Sequence, residues 1–271
     1  GNDPFMELFF KSVDDLLGGN YNTMLYQRHQ IVSNQGKLAI NSTNNPLGYA
    51  TTIAFSGVTN AHKTTSTWYT KSGSTVTEDA NIATTQPLNV LKSVRVNAES
   101  SDFCPAGHWE VSKTTWNDVI GLPYIRQMYV NATRPDVTNS TIIATLGGFA
   151  SDDAIKAFIE GIIGAPIVVV DAVAAVEKWD STNNKISYTN LQSFNEGVFV
   201  YVPNGELGDV QFGRPIYMDT PGSRNALYDG GRTLIRNVFE DETMQQTIKS
   251  EVTGLVVPNK TRWFYYVTVK G

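Results

Sequence analysis

Pro166-Ile167-Val168-Val169-Val170 and, further on, Val198-Phe199-Val200-Tyr201-Val202 decide the fold. Each is a β-branched or aromatic run of strand length without polar alternation, the pattern of a strand covered on both faces. The first is bounded by Gly164 and Asp171. The second is stopped by Pro203-Asn204-Gly205, which cannot extend a central strand and reads as a tight turn. Between them a solvated hairpin is expected, with 186–191 as one arm, and after them a glycine-punctuated exit to Gly213. Ahead of the first strand, Ser151 precedes Asp152-Asp153-Ala154-Ile155-Lys156-Ala157-Phe158-Ile159-Glu160, which combines an N-cap, two first-turn carboxylates and apolar residues at helical spacing. The spacing predicts a helix over 152–163, packed on one sheet that contains both strands.

Working outward, Asn2-Asp3-Pro4 supplies cap candidates and a first-turn proline. Phe5, Leu8, Phe9, Val13, Leu16 and Leu17 keep a helical stripe, and Gly18-Gly19 predicts its end. Residues 21–85 are rich in Thr, Ser, Asn and Gly. Apolar pieces such as Ile31-Val32, Leu38-Ala39-Ile40 and Thr52-Ile53-Ala54-Phe55 predict short strands between long loops, with Trp68 and Tyr69 available for burial. Pro87, Leu88, Leu91 and Val94 predict a helix over 87–98. His108-Trp109-Glu110-Val111 predicts a strand, and Ser112 caps a helix running through Thr115 to Ile120. Ile142-Ile143-Ala144-Thr145-Leu146 reads as a strand, and 262–269 closes the chain as an aromatic strand. The expected class is α+β. No period of 20 to 50 residues recurs, which sets aside solenoids and propellers.

With 271 residues, 41% hydrophobic and 17% charged, the chain has an ordinary globular balance. Acids outnumber bases 26 to 21, and the net charge of −5 argues against a general affinity for nucleic acid, which needs clustered Lys and Arg. The single cysteine, Cys104, rules out an intrachain disulfide framework, so cytosolic folding is the default. No run approaches the roughly 18 apolar residues of a membrane span, and no basic-then-apolar leader opens the chain. Gly1 without a methionine, followed almost at once by a helix, predicts a fragment whose natural N-terminal part is missing.

Candidate chemistry is thin. Gly57-Val58-Thr59-Asn60-Ala61-His62-Lys63-Thr64 falls short of a phosphate-binding loop, because His62 stands where the second glycine belongs and a strand-like sequence follows where the mechanism needs a helix N-terminus. Cys104 and His108 have the spacing of half a zinc site, but His29 and His62 are isolated and supply no second half. Asp171, Asp180 and Asp219 are the acids a glycosidase reading would pair; loop and strand-end acids are the plainer reading. No Gly-x-Ser-x-Gly elbow occurs. Four Asn-x-Ser/Thr matches, the first at Asn41, are what a chain rich in these residues makes by chance. No catalytic, cofactor or metal residue is therefore expected. Arg214, Arg224, Arg232 and Arg236 interleave with Asp209, Asp219, Asp229, Glu240, Asp241 and Glu242, a mixture that favours salt bridges within or between subunits over a nucleic-acid groove.

Four stretches carry a resemblance. Thr67-Trp68-Tyr69 leads through a Thr/Ser-rich link into the helix at Pro87. His108-Trp109-Glu110-Val111-Ser112-Lys113-Thr114-Thr115-Trp116 makes a strand-then-helix step. The strand from Val198 passes through Pro203-Asn204-Gly205 to Leu207-Gly208 and Phe212-Gly213. Leu255-Val256-Val257-Pro258 precedes a returning strand from Trp263. Together they resemble the major capsid proteins of tailed phages, the Hong Kong 97 type of fold, nearest to the lambda-like E family. The resemblance implies an α+β protein with a peripheral-type subdomain over 1–110, including a return strand at 255–271, and an axial-type subdomain over 111–254. The first helix would be the end of a spine helix. The implied role is a virion shell protein of a phage or prophage, made in bacterial cytoplasm. It would assemble with itself as hexamers and pentamers, with scaffold, portal and decoration proteins as further partners, packaged DNA held only non-specifically, and no membrane. The loops facing the capsomer axis would correspond to 211–231, and the implied subunit-interface residues are Asp209, Arg214, Asp219, Arg224 and Asp229. Two other classes stand beside this reading: a cell-surface or phage-tail binding module, favoured by the Thr/Asn-rich β region, and an uncharacterised hydrolase, which would need acids converging in a pocket.

Overall fold

A computed structural model describes residues 4–44, 50–180, 182, 185–214, 224–228, 232–240 and 245–271. In chain order the helices and strands are α1 (Pro4–Ser33), β1 (Lys37–Ile40), β2 (Thr51–Ala54), β3 (Lys63–Ser72), β4 (Thr75–Glu78), α2 (Ile82–Thr85), α3 (Pro87–Ser101), β5 (Gly107–Ser112), α4 (Lys113–Ile120), α5 (Pro123–Thr133), α6 (Ser140–Phe149) and α7 (Asp152–Ile163). They continue with β6 (Ile167–Val170), β7 (Val173–Asp180), β8 (Lys185–Gln192), β9 (Val198–Pro203), β10 (Gly208–Gly213), β11 (Arg224–Tyr228), β12 (Thr233–Glu240), β13 (Gln245–Pro258) and β14 (Tyr265–Lys270). The class is α+β. The chain divides into two compact units, Gly1–His29 with Gly208–Asn259 and Gln30–Leu207 with Lys260–Gly271.

In the larger unit both sequence-predicted strands belong to one six-stranded sheet of order β4-β3-β14-β9-β5-β6. β3 with β14 and β5 with β6 run parallel, whereas β14–β9 and β9–β5 are antiparallel. Every residue of β9 is buried, and its alternation feeds two cores. Phe199 and Tyr201 join Trp68, Trp109, Leu91 and the α7 residues Ile155, Ile159 and Ile163, while Val198, Val200 and Val202 join Val32, Phe194, Phe264 and Tyr266. Burial of each such side chain contributes about 1.5–3 kcal/mol, which is why an unbroken apolar run is stable only in the middle of a covered sheet. α7 starts and stops as its sequence dictates: the Ser151 hydroxyl accepts from the Ala154 N–H, Asp152 and Asp153 fill the first turn, and Gly164 caps the end at φ +68°. The Glu160 carboxylate then accepts from the Ile167 N–H at 2.7 Å, fixing where β6 begins.

Two elements depart from the sequence reading. α1 does not end at Gly18-Gly19 but runs on to Ser33. A Cβ on either glycine would meet nothing within 4 Å, so neither is there to turn the chain. The helix is held further on, by Ile31 and Val32 in the core, and stops where Gln35 and Gly36 take positive φ. The Ile31-Val32 strand piece is therefore helical. The run at 142–146 is helix α6 rather than a strand, because the Asn139 side chain accepts from the N–H groups of Thr141 and Ile142 and nucleates a first turn. β5, β9 and β14 pair side by side, so residues from both sides of the expected boundaries at 110/111 and 254/255 lie in one sheet.

The hairpin expected between the two central strands is present as β7–β8, eight antiparallel pairs from Val173↔Gln192 to Asp180↔Lys185. It forms a two-stranded sheet of its own. In the smaller unit, four antiparallel strands lie in the order β10-β13-β12-β11. The 14-residue β13 pairs with β12 through its first half and with β10 through its second.

Candidate functional site

The residues expected at a subunit interface fall on the smaller unit's sheet. Asp209 is exposed on β10, opposite Val257 of β13, and Arg214 is exposed just past the end of that strand. Arg224 opens β11, where its backbone pairs with Asn237. Asp219 and Asp229 lie outside the described residues. The expected flexible stretch at 211–231 is thus partly strand: 211–213 finishes β10 and 224–228 is β11. β10 and β11 are the two end strands of the sheet, and along β13 the register partners of Asp209 and Arg224, Val257 and (through Asn237) Ile248, stand nine residues apart, about 30 Å at strand rise, so the two do not pair with each other.

That sheet also exposes apolar side chains that sequence reasoning passed over. Val210 and Phe212 on β10 and Leu227 on β11 are all more than a third exposed. The Arg232 guanidinium lies 5.1 Å from the centroid of the Phe212 ring. Gly254 on β13 leaves the space that Met24 of α1 and Phe212 occupy, since a Cβ there would come within 2.5 Å of the Met24 methyl. The Asn20 amide donates to the Ser250 hydroxyl, and the Gln27 side chain accepts from the Val256 N–H, so α1 is tied along β13. The alternation Asp209-Val210-Gln211-Phe212 reads as a half-buried strand, so the exposure of Val210 and Phe212 had no signal in the sequence.

A second polar cluster lies in the larger unit, where the C-terminal end of α3 meets the sheet. Arg95 donates to the Ile163 carbonyl at 2.8 Å and to Glu99 at 2.7 Å. Glu99 in turn accepts from the Tyr201 hydroxyl at 2.5 Å, and that hydroxyl accepts from the Gly107 N–H at 2.8 Å. The Tyr265 hydroxyl donates to Asp102, and the His62 ring stacks 4.5 Å from Tyr265. Burial, reinforced by the neighbouring carboxylates, raises the ionisation of Tyr201 and Tyr265 above the ordinary tyrosine range. Cys104 is pushed up to about 11, first by burial and then by the charges of Glu99 and Asp102, while burial lowers His62. A thiol held protonated is a poor nucleophile and a poor metal ligand, so this cluster fastens α3 to β9 and β14.

The other candidates are dispersed. Cys104 is buried, and the two ring nitrogens of His108 face Asn204 Oδ1 at 2.8 Å and Glu110 Oε1 at 3.2 Å. Among the described residues no group of three or more His, Cys, Asp or Glu side chains is arranged to hold a metal ion. Asp171 is paired with Lys113 at the surface, the side chain of Asp180 is not described, and Asp219 lies outside the described residues. The incomplete phosphate loop becomes a short 3-10 turn at Asn60–His62 that passes directly into β3, so no helix N-terminus follows Lys63. No described helix is long and apolar enough to cross a membrane.

No protein-family model matches the chain, and the search of curated proteins finds no match. Among solved structures, a phage-related protein from Bordetella bronchiseptica is similar over 97% of this chain at 12% identity and a TM-score of 0.47. The chain spans 66% of that protein's length. A likeness of this size carries no argument about family or function.

Proposed function

We propose that the chain is a shell-forming structural protein of the tailed-phage head type, acting through repeated contacts with copies of itself and without catalysis. The observation that carries this reading is the four-stranded sheet of the smaller unit. Among the described residues its two end strands have no further strand beside them, and they carry residues of opposite charge, Asp209 on β10 and Arg224 on β11. Ring-forming contacts need two different, complementary patches on every copy, and opposite edges of one sheet supply such a pair. Val210, Phe212 and Leu227 add apolar surface that such contacts would bury. The sequence resemblance to capsid proteins points the same way, and from it come hexamers and pentamers, scaffold, portal and decoration partners, and DNA enclosed without specific contacts. The experiment is negative-stain imaging of the chain co-expressed with the products of its neighbouring genes. Closed shells of uniform diameter are the expected result. A monodisperse product that binds cells or tail fibres instead would replace this reading with that of a binding module.

A further inference from the structure

We propose that Asn204 is a self-modification site, where the Gly205 backbone nitrogen displaces the side-chain amide and the chain acquires an isoaspartate or aspartate without the help of another protein. Asn204-Gly205 is the only Asn-Gly pair in the sequence. A glycine after the asparagine leaves its backbone nitrogen unshielded by a side chain, and both residues are exposed in the turn that follows β9. Gly205 takes φ +85°, and a Cβ there would meet nothing within 4 Å, so the turn is open around it. Among the described residues no acceptor takes its N–H.

The fold adds a group that the Asn-Gly pair alone lacks. β5 and β9 pair with His108 opposite Val202, which brings the His108 ring beside the residue two positions further along on the same face. His108 Nδ1 lies 2.8 Å from Asn204 Oδ1, and its Nε2 lies 3.2 Å from Glu110 Oε1. With an oxygen beside each ring nitrogen, the imidazolium presents an N–H to both. The Asn204 N–H donates to the Ala106 carbonyl at 3.1 Å, which holds the asparagine backbone while its side chain rests against the histidine.

The reaction balances with water alone. The Gly205 nitrogen forms a bond to Asn204 Cγ and gives up its proton to water, and the carboxamide oxygen becomes an oxyanion that the His108 N–H stabilises. The Cγ–Nδ2 bond then breaks, and the departing nitrogen takes a proton and leaves as ammonia. The cyclic imide that remains is opened by water at either of its two carbonyl carbons, giving aspartate or isoaspartate. Either product sets a carboxylate beside His108, and isoaspartate also adds a methylene to the main chain in the link between β9 and β10. No second copy of the chain takes part, so the inference stands apart from the shell reading.

The test incubates the 271-residue chain at neutral pH and follows the peptide containing residue 204 by mass spectrometry, with electron-transfer fragmentation to separate isoaspartate from aspartate. Conversion is expected at Asn204 ahead of Asn41 and Asn139, which precede serines, with ammonia released mole for mole. In His108→Ala the rate should fall about tenfold or more with the circular dichroism spectrum unchanged. A synthetic peptide of residues 200–208, which has the pair without the histidine, should be slower than the folded chain by a similar factor. An Asn204 that stays intact, or that converts no faster than Asn41 and Asn139, would overturn the site. Equal rates in His108→Ala and the parent would overturn the part given to His108; if that variant does not fold, a folded chain no faster than the peptide does so instead.

Discussion

The Tyr201 hydroxyl joins three segments at once, accepting from the Gly107 N–H and donating to the Glu99 carboxylate that Arg95 also holds. Tyr201→Phe keeps the ring and removes the junction, leaving a buried N–H without its acceptor. It should cost about 1–3 kcal/mol, read as a lower urea midpoint at unchanged slope. The same surroundings set a pH dependence. Tyr201 and Tyr265 ionise above the ordinary value of 10.0 because burial disfavours the phenolate, whereas in the unfolded chain they ionise near it. Above pH 10 the unfolded state therefore binds fewer protons than the folded one, so the stabilisation is complete below pH 10 and is lost as pH rises past it. Cys104, shifted from 9.0 to about 11, acts in the same direction from pH 9 upward. Alkaline titration followed at 295 nm should show unfolding and the delayed phenolate absorbance in one cooperative step; a gradual tyrosine titration with the fold intact would contradict this. Cys104 was read in the sequence as half of a zinc spacing without its second half. Its neighbours were not, because Glu99 and Tyr201 stand 102 positions apart and meet only in the folded sheet.

At the scale of elements, two glycines separate local from tertiary control. At Gly107, a Cβ would lie 2.0 Å from the Val202 carbonyl oxygen, inside the β5–β9 pairing. Gly107→Ala must push two buried strands apart and should cost about 1–3 kcal/mol or more. Gly18, exposed within α1 with open space around it, should behave oppositely: Gly18→Ala is expected to raise stability by about 0.5–1 kcal/mol by restoring helix propensity. Thermal melts of both variants check the pair, and a destabilised Gly18→Ala would mean that the glycines do turn the chain. The elements that could be read from sequence were those whose stop and start residues act locally. Ser151 caps α7, and the Ser112 hydroxyl accepts from the Thr115 N–H at the head of α4. Of the misread elements, α6 carried its local cap at Asn139, whereas α1 obeys distant partners. Residues 20 and 27 of α1 are held by β13, more than 200 positions away, and so outlast a glycine pair that usually ends a helix. β13 itself begins Gln245-Gln246-Thr247-Ile248-Lys249-Ser250, too polar to announce a strand, and is formed by pairing on both sides.

At the scale of the whole molecule, the sequence placed the central sheet and its helix but not the boundary between units, because contiguous segments of chain are interleaved in one sheet by β5, β9 and β14. The residues expected at an interface form a stretch of mixed charge in the sequence; of those described, Asp209 lies on β10, Arg214 just past it and Arg224 on β11. That geometry sharpens what a shell contact demands. If β10 of one copy meets β11 of the next, Asp209→Lys sets a lysine against Arg224 of the neighbouring subunit and should abolish shell formation. The unfolding midpoint should stay within about 0.5 kcal/mol of the parent's, because Asp209 is exposed and its strand pairing is through the backbone. Arg224→Asp alone should fail in the same way, by opposing two acids. The double variant, Asp209→Lys with Arg224→Asp, restores one charge of each sign to the contact and should recover closed particles in negative stain. Recovery would require the two edges to face each other between subunits, since about 30 Å or more within one sheet is too far for a direct pair. If both single variants assemble normally, or the double variant fails while remaining folded, the β10–β11 contact is not the one that builds the ring.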